Sequence, residues 1–245
     1  MDFSLALLLA AFAGGLFGAA IGGLPAFNFT GFTVRVGVAM ATGGSDFDFI
    51  TNVAFGPVFG PHISFAAGAA AAAFAASRGT LENGRDIAAP LAGVKDPLTL
   101  VVGGLFGLGG HVFQQLLVGI GVAGFTDSIA LTVGVSAIVA RLMFGRSGLF
   151  GDLTPEARER GIFVPGGERV WLDYQQDFPQ AAVLGLGSGL LSAWLVTAFV
   201  AANPDYQAAA TVLGFGISAA SLILLQIGFS CPVTHHMTLP AAVAA

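Results

Sequence analysis

A chain of 245 residues with 55% hydrophobic and only 9% charged side chains cannot cover itself with polar groups, because soluble proteins carry roughly 25% charged residues. A mean hydropathy of +0.83 makes lipid its natural solvent and excludes an ordinary soluble domain. A net charge of −5 with no basic stripe excludes nucleic acid as a partner, and a single cysteine excludes an intrachain disulfide framework.

The fold class that follows is an all-α integral membrane protein, a polytopic helix bundle forming one transmembrane domain over 1–245. A span needs roughly 20 apolar residues. That yardstick predicts six spans, near 4–24, 26–44, 98–122, 125–144, 178–201 and 207–229. The opening "MDFSLALLLAAFAGGLFG" has no positive n-region, so it reads as a retained first helix and not as a secretory signal.

Arg35 sits in the middle of the second span, in "FTGFTVRVGVAMATGG". A buried arginine there is costly unless paired, so it is expected to meet Asp127 or Asp46, or else to contact a substrate anion. Asp46 and Asp48, in "GGSDFDF", read either as interfacial helix caps or as an acidic vestibule that concentrates cations.

Two shorter apolar segments follow, 47–60 and 62–77, separated by Pro57 and Pro61. They read as short spans or as a re-entrant hairpin, whose irregular backbone is tolerated only inside protein or beside water. His62 heads the second of them.

Charge is uneven: six charged residues fall in 78–96 and eleven in 141–177, which marks 78–96 and 145–177 as aqueous loops. Lysine and arginine cluster there, so both loops are expected on the cytoplasmic side, in the cytoplasmic membrane of a prokaryote. Trp171 and Tyr174 read as an interfacial aromatic anchor, and Tyr206 as marking the opposite interface.

The third predicted span carries His111 with Gln114 and Gln115, a polar stripe suited to a pore lining or an interhelical network. Asp127 opens the next helix, as a cation or proton site near the midplane or as an N-cap. The 36 glycines, with pairs and fours such as Gly14, Gly15, Gly18 and Gly103, Gly104, Gly107, predict closely touching helix backbones.

The last segment, "CPVTHHMTLPAAVAA", echoes "GPVFGPHISFAAGAA" at 56–70. "GGLFG" also recurs, at 14–18 and 103–107, and "GFT" at 31–33 and 124–126. The order suggests repeat halves 1–96 and 97–245, with the polar loop and one span inserted in the second. One extra span inverts the last segment relative to the first, as in transporters with inverted repeats and discontinuous helices. The final segment is half a span long: either it ends as a half-helix within the fold or the natural chain continues.

His62 and His236, each heading a proline-broken segment, are therefore the expected centre of a binding site, with Asp127, Arg35, His111 and Asp46 around it. Cys231, His235, His236 and Met237 offer an alternative set of Cu(I) or Zn(II) ligands, although Cys-x3-His-His lacks a second ligand pair. No phosphate-binding glycine loop, zinc-protease motif, nucleophile elbow or paired cysteine occurs, so no cofactor and no enzymatic activity is expected. The functional expectation is a transporter or channel-like permease for a small solute or ion. The alternative is a non-transporting scaffold subunit, as a homo-oligomer or with a membrane partner covering its glycine-rich faces.

Overall fold

Ser4 accepts a hydrogen bond from the Leu7 amide and starts α1, Leu5–Ile21. Gly22, at φ 97°, stops it, because only glycine adopts that conformation without strain. The next helix, α2 (Gly23–Thr42), leaves at 116° to α1, so the chain doubles back. The structure, a computed structural model, describes residues 1–149, 151–161, 164 and 171–245. It is about 73% helical and has no strand among the described residues. Of the expected loop 145–177, residues 150, 162, 163 and 165–170 lie outside the described ones.

After α2 come a π-helical turn at Ile50–Ala54, an irregular stretch, and a second π turn at Pro61–Phe65 that runs directly into α3, Ala66–Ser77. Next are α4 (Pro97–Gly119), capped by Asp96, and α5 (Ser128–Phe144). The short α6 (Pro155–Arg160) lies in the polar loop. The last helices are α7 (Phe178–Ala202), α8 (Gln207–Ser221), α9 (Ile223–Gln226) and α10 (His235–Ala244).

Three helical stretches are long and apolar enough to cross a membrane: Pro97–Gly119, Phe178–Ala202 and Pro204–Gln226. The bent pair α1 and α2 makes a fourth if counted as one span. The remaining expected spans are shorter: α5 has 17 residues because Asp127 caps it, leaving Phe125 to Asp127 outside the helix. Apolar helices in an all-helical chain suggest a membrane protein and are compatible with a membrane location.

Small side chains set the packing. α1 and α4 run antiparallel, with Met1 against Gly119 and Gly15 against Gly103 and Gly107. The two GGLFG copies therefore meet face to face. A Cβ on Gly15 would stand 2.8 Å from Gly107 Cα, and one on Gly18 would stand 2.7 Å from Ser64 Cα. Gly15 thus admits α4, while Gly14 and Gly18, on the adjoining face, admit the broken segment at Pro57 and Ser64. The expected close backbone contact is present, and it is internal to the chain.

The helices gather in two groups. α1, α3, α4 and α5 pack together, as do α2, α7, α8 and α10, and the Pro61–Phe65 turn touches α1 to α5. α2 leaves its sequence neighbours to run antiparallel to α8, with Gly31 against Ala219 and Ala220 and the Tyr206 hydroxyl donating to the Thr42 carbonyl at 3.1 Å. Leu24, Phe27, Val34, Phe215 and Leu222 form the main apolar core between them. Phe74 near the end of α3 packs on Phe144 at the end of α5, with centroids 5.3 Å apart, which brings the loops after both helices to one end of the molecule.

Gly15→Leu and Gly18→Val are expected to destabilise the fold by about 1–3 kcal/mol or more, since rigid backbone faces each glycine. Gly109→Ala, at a helical glycine with nothing within 4 Å, should be neutral or stabilising by about 0.5–1 kcal/mol. Thermal unfolding in detergent would separate the two groups, and equal tolerance of all three would show that the seam is loose.

Candidate functional site

Two interruptions of helical structure carry the polar groups of the interior. In the first, Pro57 and Pro61 prevent helix from running through residues 55–60, and the freed backbone groups find partners nearby. The Gly60 amide donates to the Gly56 carbonyl at 2.8 Å, and the Gly60 carbonyl accepts from Ser64 N at 2.9 Å. The Phe59 carbonyl accepts the Thr30 hydroxyl from α2 at 2.6 Å. Pro61 then opens the helix where a missing N–H does no harm. His62 follows, 3% exposed, with no partner for Nδ1.

In the second, Gly228 (φ 92°) ends the α8–α9 stretch, and the chain runs without helix to Thr234. The polar loop supplies the partners. Tyr174 donates its hydroxyl to the Cys231 carbonyl at 2.6 Å. Gln175 binds both backbone groups of Val233, donating to the carbonyl at 2.6 Å and accepting from the amide at 2.8 Å. Burial, with the neighbouring Cys231 thiol, holds the Tyr174 phenol above its ordinary range, so it remains a protonated donor. Thr234 shares a 2.7 Å hydrogen bond with Ser218, and α10 then begins at His235.

The breaks converge on Phe27 of α2. Its ring lies 5.5 Å from Phe65, one turn beyond His62, and 4.8 Å from the His235 imidazole. Phe215 closes the cluster, 5.7 Å from Phe27 and 6.0 Å from His235. His235 Nδ1, like His62 Nδ1 and Asn28 Oδ1, is buried without a hydrogen-bond partner. The two segments point in opposite directions. α3 runs antiparallel to α4, with His62 against Gly110 and Ala71 against Gly103. α10 runs parallel to α7, with Met237 beside Gly185 and Ala241 beside Gly189, and α7 starts from the end where α3 finishes.

The sequence matches the model of a family of unknown function, DUF7973, over residues 1–163 and 166–245. The chain belongs to that family. No curated protein and no solved structure matches it. The match takes in both breaks.

Other expected site residues of this DUF7973 member are distributed differently. His236 is exposed; its predecessor His235 faces the interior, with its imidazole against Phe27. His111 lies beside the first break, since Gly110 backs on the His62 carbonyl, and its Nε2 is 3.1 Å from the Asp2 carbonyl. Gln115 accepts from the Asp2 amide at 2.8 Å. Gln114 turns to α5, donating to Ser128 at 2.8 Å and accepting from Thr132 at 3.1 Å. The polar stripe thus acts as an interhelical network that also holds the N-terminal residues.

Asp127 caps α5 through Ala130 N at 2.9 Å, and Asp48 accepts from Thr51 N at 2.9 Å. Arg35 pairs with neither Asp127 nor Asp46. It is exposed, with its guanidinium 5.1 Å from the Phe32 ring, because the inner faces of α2 are taken by residues 27, 31 and 34 toward α8 and 30 and 37 toward the broken segment. Asp46 is exposed beyond the end of α2. The proposed metal ligands do not gather either. Cys231 Sγ donates to the Ser221 carbonyl, Met237 lies against α7, and no three His, Cys, Asp or Glu groups converge among the described residues.

Sequence reasoning missed Thr30, Gln175 and Asn28. A threonine within a span is ordinarily satisfied by its own helix, as Thr30 also is at 3.3 Å from the Ala26 carbonyl, and Gln175 looked like one more polar loop residue.

Thr30→Val, which keeps shape but removes the donor, should cost about 1–3 kcal/mol by orphaning the Phe59 carbonyl. Gln175→Leu should act similarly at Val233. Detergent-solubilised unfolding measures both; unchanged midpoints would mean that water serves those backbone groups equally well.

Proposed function

We propose that this chain is a multi-pass membrane permease or channel for a small solute or ion, with its site where the two broken segments converge on Phe27. The observation that carries the reading is a pair of inward-facing imidazoles, the buried His62 and the half-buried His235, each near the start of an interrupted segment and each with a buried, unpartnered Nδ1. An unsatisfied buried polar atom costs about 1–3 kcal/mol, so two of them, one on His235 within the Phe27 cluster and one on His62 in the segment whose Phe65 joins that cluster, are best accounted for by a polar guest. Neutral imidazoles can hydrogen-bond a solute or pass a proton, and Phe27 separates the two half-sites. Opposed broken helices are also the arrangement from which alternating access is built. In this reading the chain performs no chemistry on its solute.

The proposed topology has α1, α2 and the broken segment ending in α3 as three crossings, so that loop 78–96 and the N-terminus lie on opposite sides. α4 and α5 then return the chain to the face of 78–96, which carries 145–177 as well. The arginines on that face favour the cytoplasm as its side. A scaffold reading has one observation in its favour. α7 is largely uncovered, with Val183 71%, Leu186 65% and Trp194 62% exposed, a surface that lipid or a partner helix would cover equally.

His62→Phe and His235→Phe should each abolish flux in reconstituted vesicles while leaving the helical content unchanged. His236→Phe, at an exposed position, should retain most of it. Vesicles screened with labelled inorganic ions and small polar solutes supply the assay. Undiminished flux through both inward variants would remove the site from the broken segments.

Cysteine-accessibility labelling, after Cys231→Ser, should modify probes at residues 83 and 146 from the same side, with a probe at residue 2 labelled from the other. Labelling of 83 and 146 from opposite sides would overturn the topology.

A further inference from the structure

Away from the broken segments, α3, α5 and the loops after them line a groove of about 760 Å³ at the end of the molecule that carries the charged loops. Its floor is alanine, with Ala69, Ala73 and Ala76 from α3 and Ala137 and Ala140 from α5, and Phe144 closes the upper wall. Small side chains keep the trough open where leucines would fill it. At its mouth stand Arg78, Arg85, Arg141 and Arg146, four of the nine basic residues in the chain, and no acidic residue lines it among the described residues.

The four arginines are unequal. Arg78 is held by Asp96 at 3.1 Å and lies 5.5 Å from the Phe74 ring. Arg141 donates through Nε to the Gly148 carbonyl at 2.8 Å and reaches Ser147 Oγ at 3.4 Å, which orients it without neutralising it. Arg85 and Arg146 have no carboxylate within 4.0 Å among the described residues. All four side chains are exposed. A net-negative chain has thus gathered four arginines, only one of them seen paired with a carboxylate among the described residues, around one apolar trough.

We propose that this groove binds an anionic phospholipid, with the phosphate at the arginines and an acyl chain lying along the alanine floor. Charge complementarity selects the head group. Guanidinium forks match phosphate oxygens in geometry as well as sign, and basic pockets between helices at the positive side of a membrane suit such lipids. The floor selects a lipid over a free anion, because a soluble phosphate uses none of the apolar surface that runs from the arginines down the two helices. The inference rests on the bilayer placement of the chain and is independent of transport.

The test uses the full chain purified in detergent and titrated with phosphatidylglycerol, phosphatidylcholine or inorganic phosphate, with bound lipid read by native mass spectrometry. Phosphatidylglycerol is expected to bind at least about tenfold more tightly than phosphatidylcholine, and Arg85→Gln with Arg146→Gln to remove that preference. Both residues are exposed, so the double variant should keep its helical content, which circular dichroism checks. Ala73→Phe fills the floor while retaining all four charges and should weaken phosphatidylglycerol binding to a similar degree. Equal binding of the two lipids, or a preference that survives the double arginine variant, overturns the site. Displacement of phosphatidylglycerol by equimolar inorganic phosphate, or indifference to Ala73→Phe, shows a head-group anion site and overturns the lipid assignment. Flotation of the wild type with neutral vesicles reads membrane insertion separately, so failure of lipid selectivity is distinguishable from failure of the membrane reading.

Discussion

The rest of the structure depends on backbone-to-backbone contact along α1. Gly14 and Gly18 face the broken segment at Pro57 and Ser64, and Gly15 faces Gly103 and Gly107 of α4. In lipid, helices gain nothing from hiding apolar side chains from one another, so association comes from close packing and from satisfied polar groups. A seam without side chains maximises the first and makes room for the second. It lets a stretch of irregular backbone sit in the interior, where Thr30 supplies the hydrogen bond that a continuous helix would have made for itself.

Satisfaction of backbone polar groups explains the second interruption in the same terms, with different donors. There the interfacial loop reaches in, and Tyr174 and Gln175 serve Cys231 and Val233 as a neighbouring strand would. The polar loop therefore bears on the interior as well as on the surface. Among the described residues, His62 Nδ1, His235 Nδ1, Asn28 Oδ1, Ser192 Oγ and Gln226 Oε1 are buried without partners, and His235 stands against the Phe27 aromatic cluster. The proposed permease site uses the groups that the fold itself leaves without partners.

Electrostatics divides the molecule along its length. The interior carries no ion pair among the described residues, and the one pair there, Arg78 with Asp96, stands at the charged end. Carboxylates that looked available for ion binding, Asp127 and Asp48, end helices instead. An N-cap aspartate gains a charge-assisted backbone hydrogen bond and the favourable end of the helix dipole, which holds it at the interface. The positive charge is left to gather at the opposite end of α5, around the alanine groove.

Composition and spacing determined the helical class, the two proline interruptions and the small-residue seam, and they suggest lipid as the solvent. Each of these depends on local sequence: hydropathy over a window, the missing proline N–H, the absence of a glycine side chain. The tertiary structure alone decided which helices are neighbours and which way a side chain points. α2 crosses to α8 because Gly31 and the Ala219–Ala220 pair fit, a match between residues far apart in the chain that no window sees. That crossing spends the inner faces of α2 and leaves Arg35 outside. The exchange of His236 for His235 has the same origin. A helix turns 100° per residue, so adjacent imidazoles at its start point different ways, and the packing of α10 on α7 and α8 turns His235 toward Phe27 and leaves His236 outside.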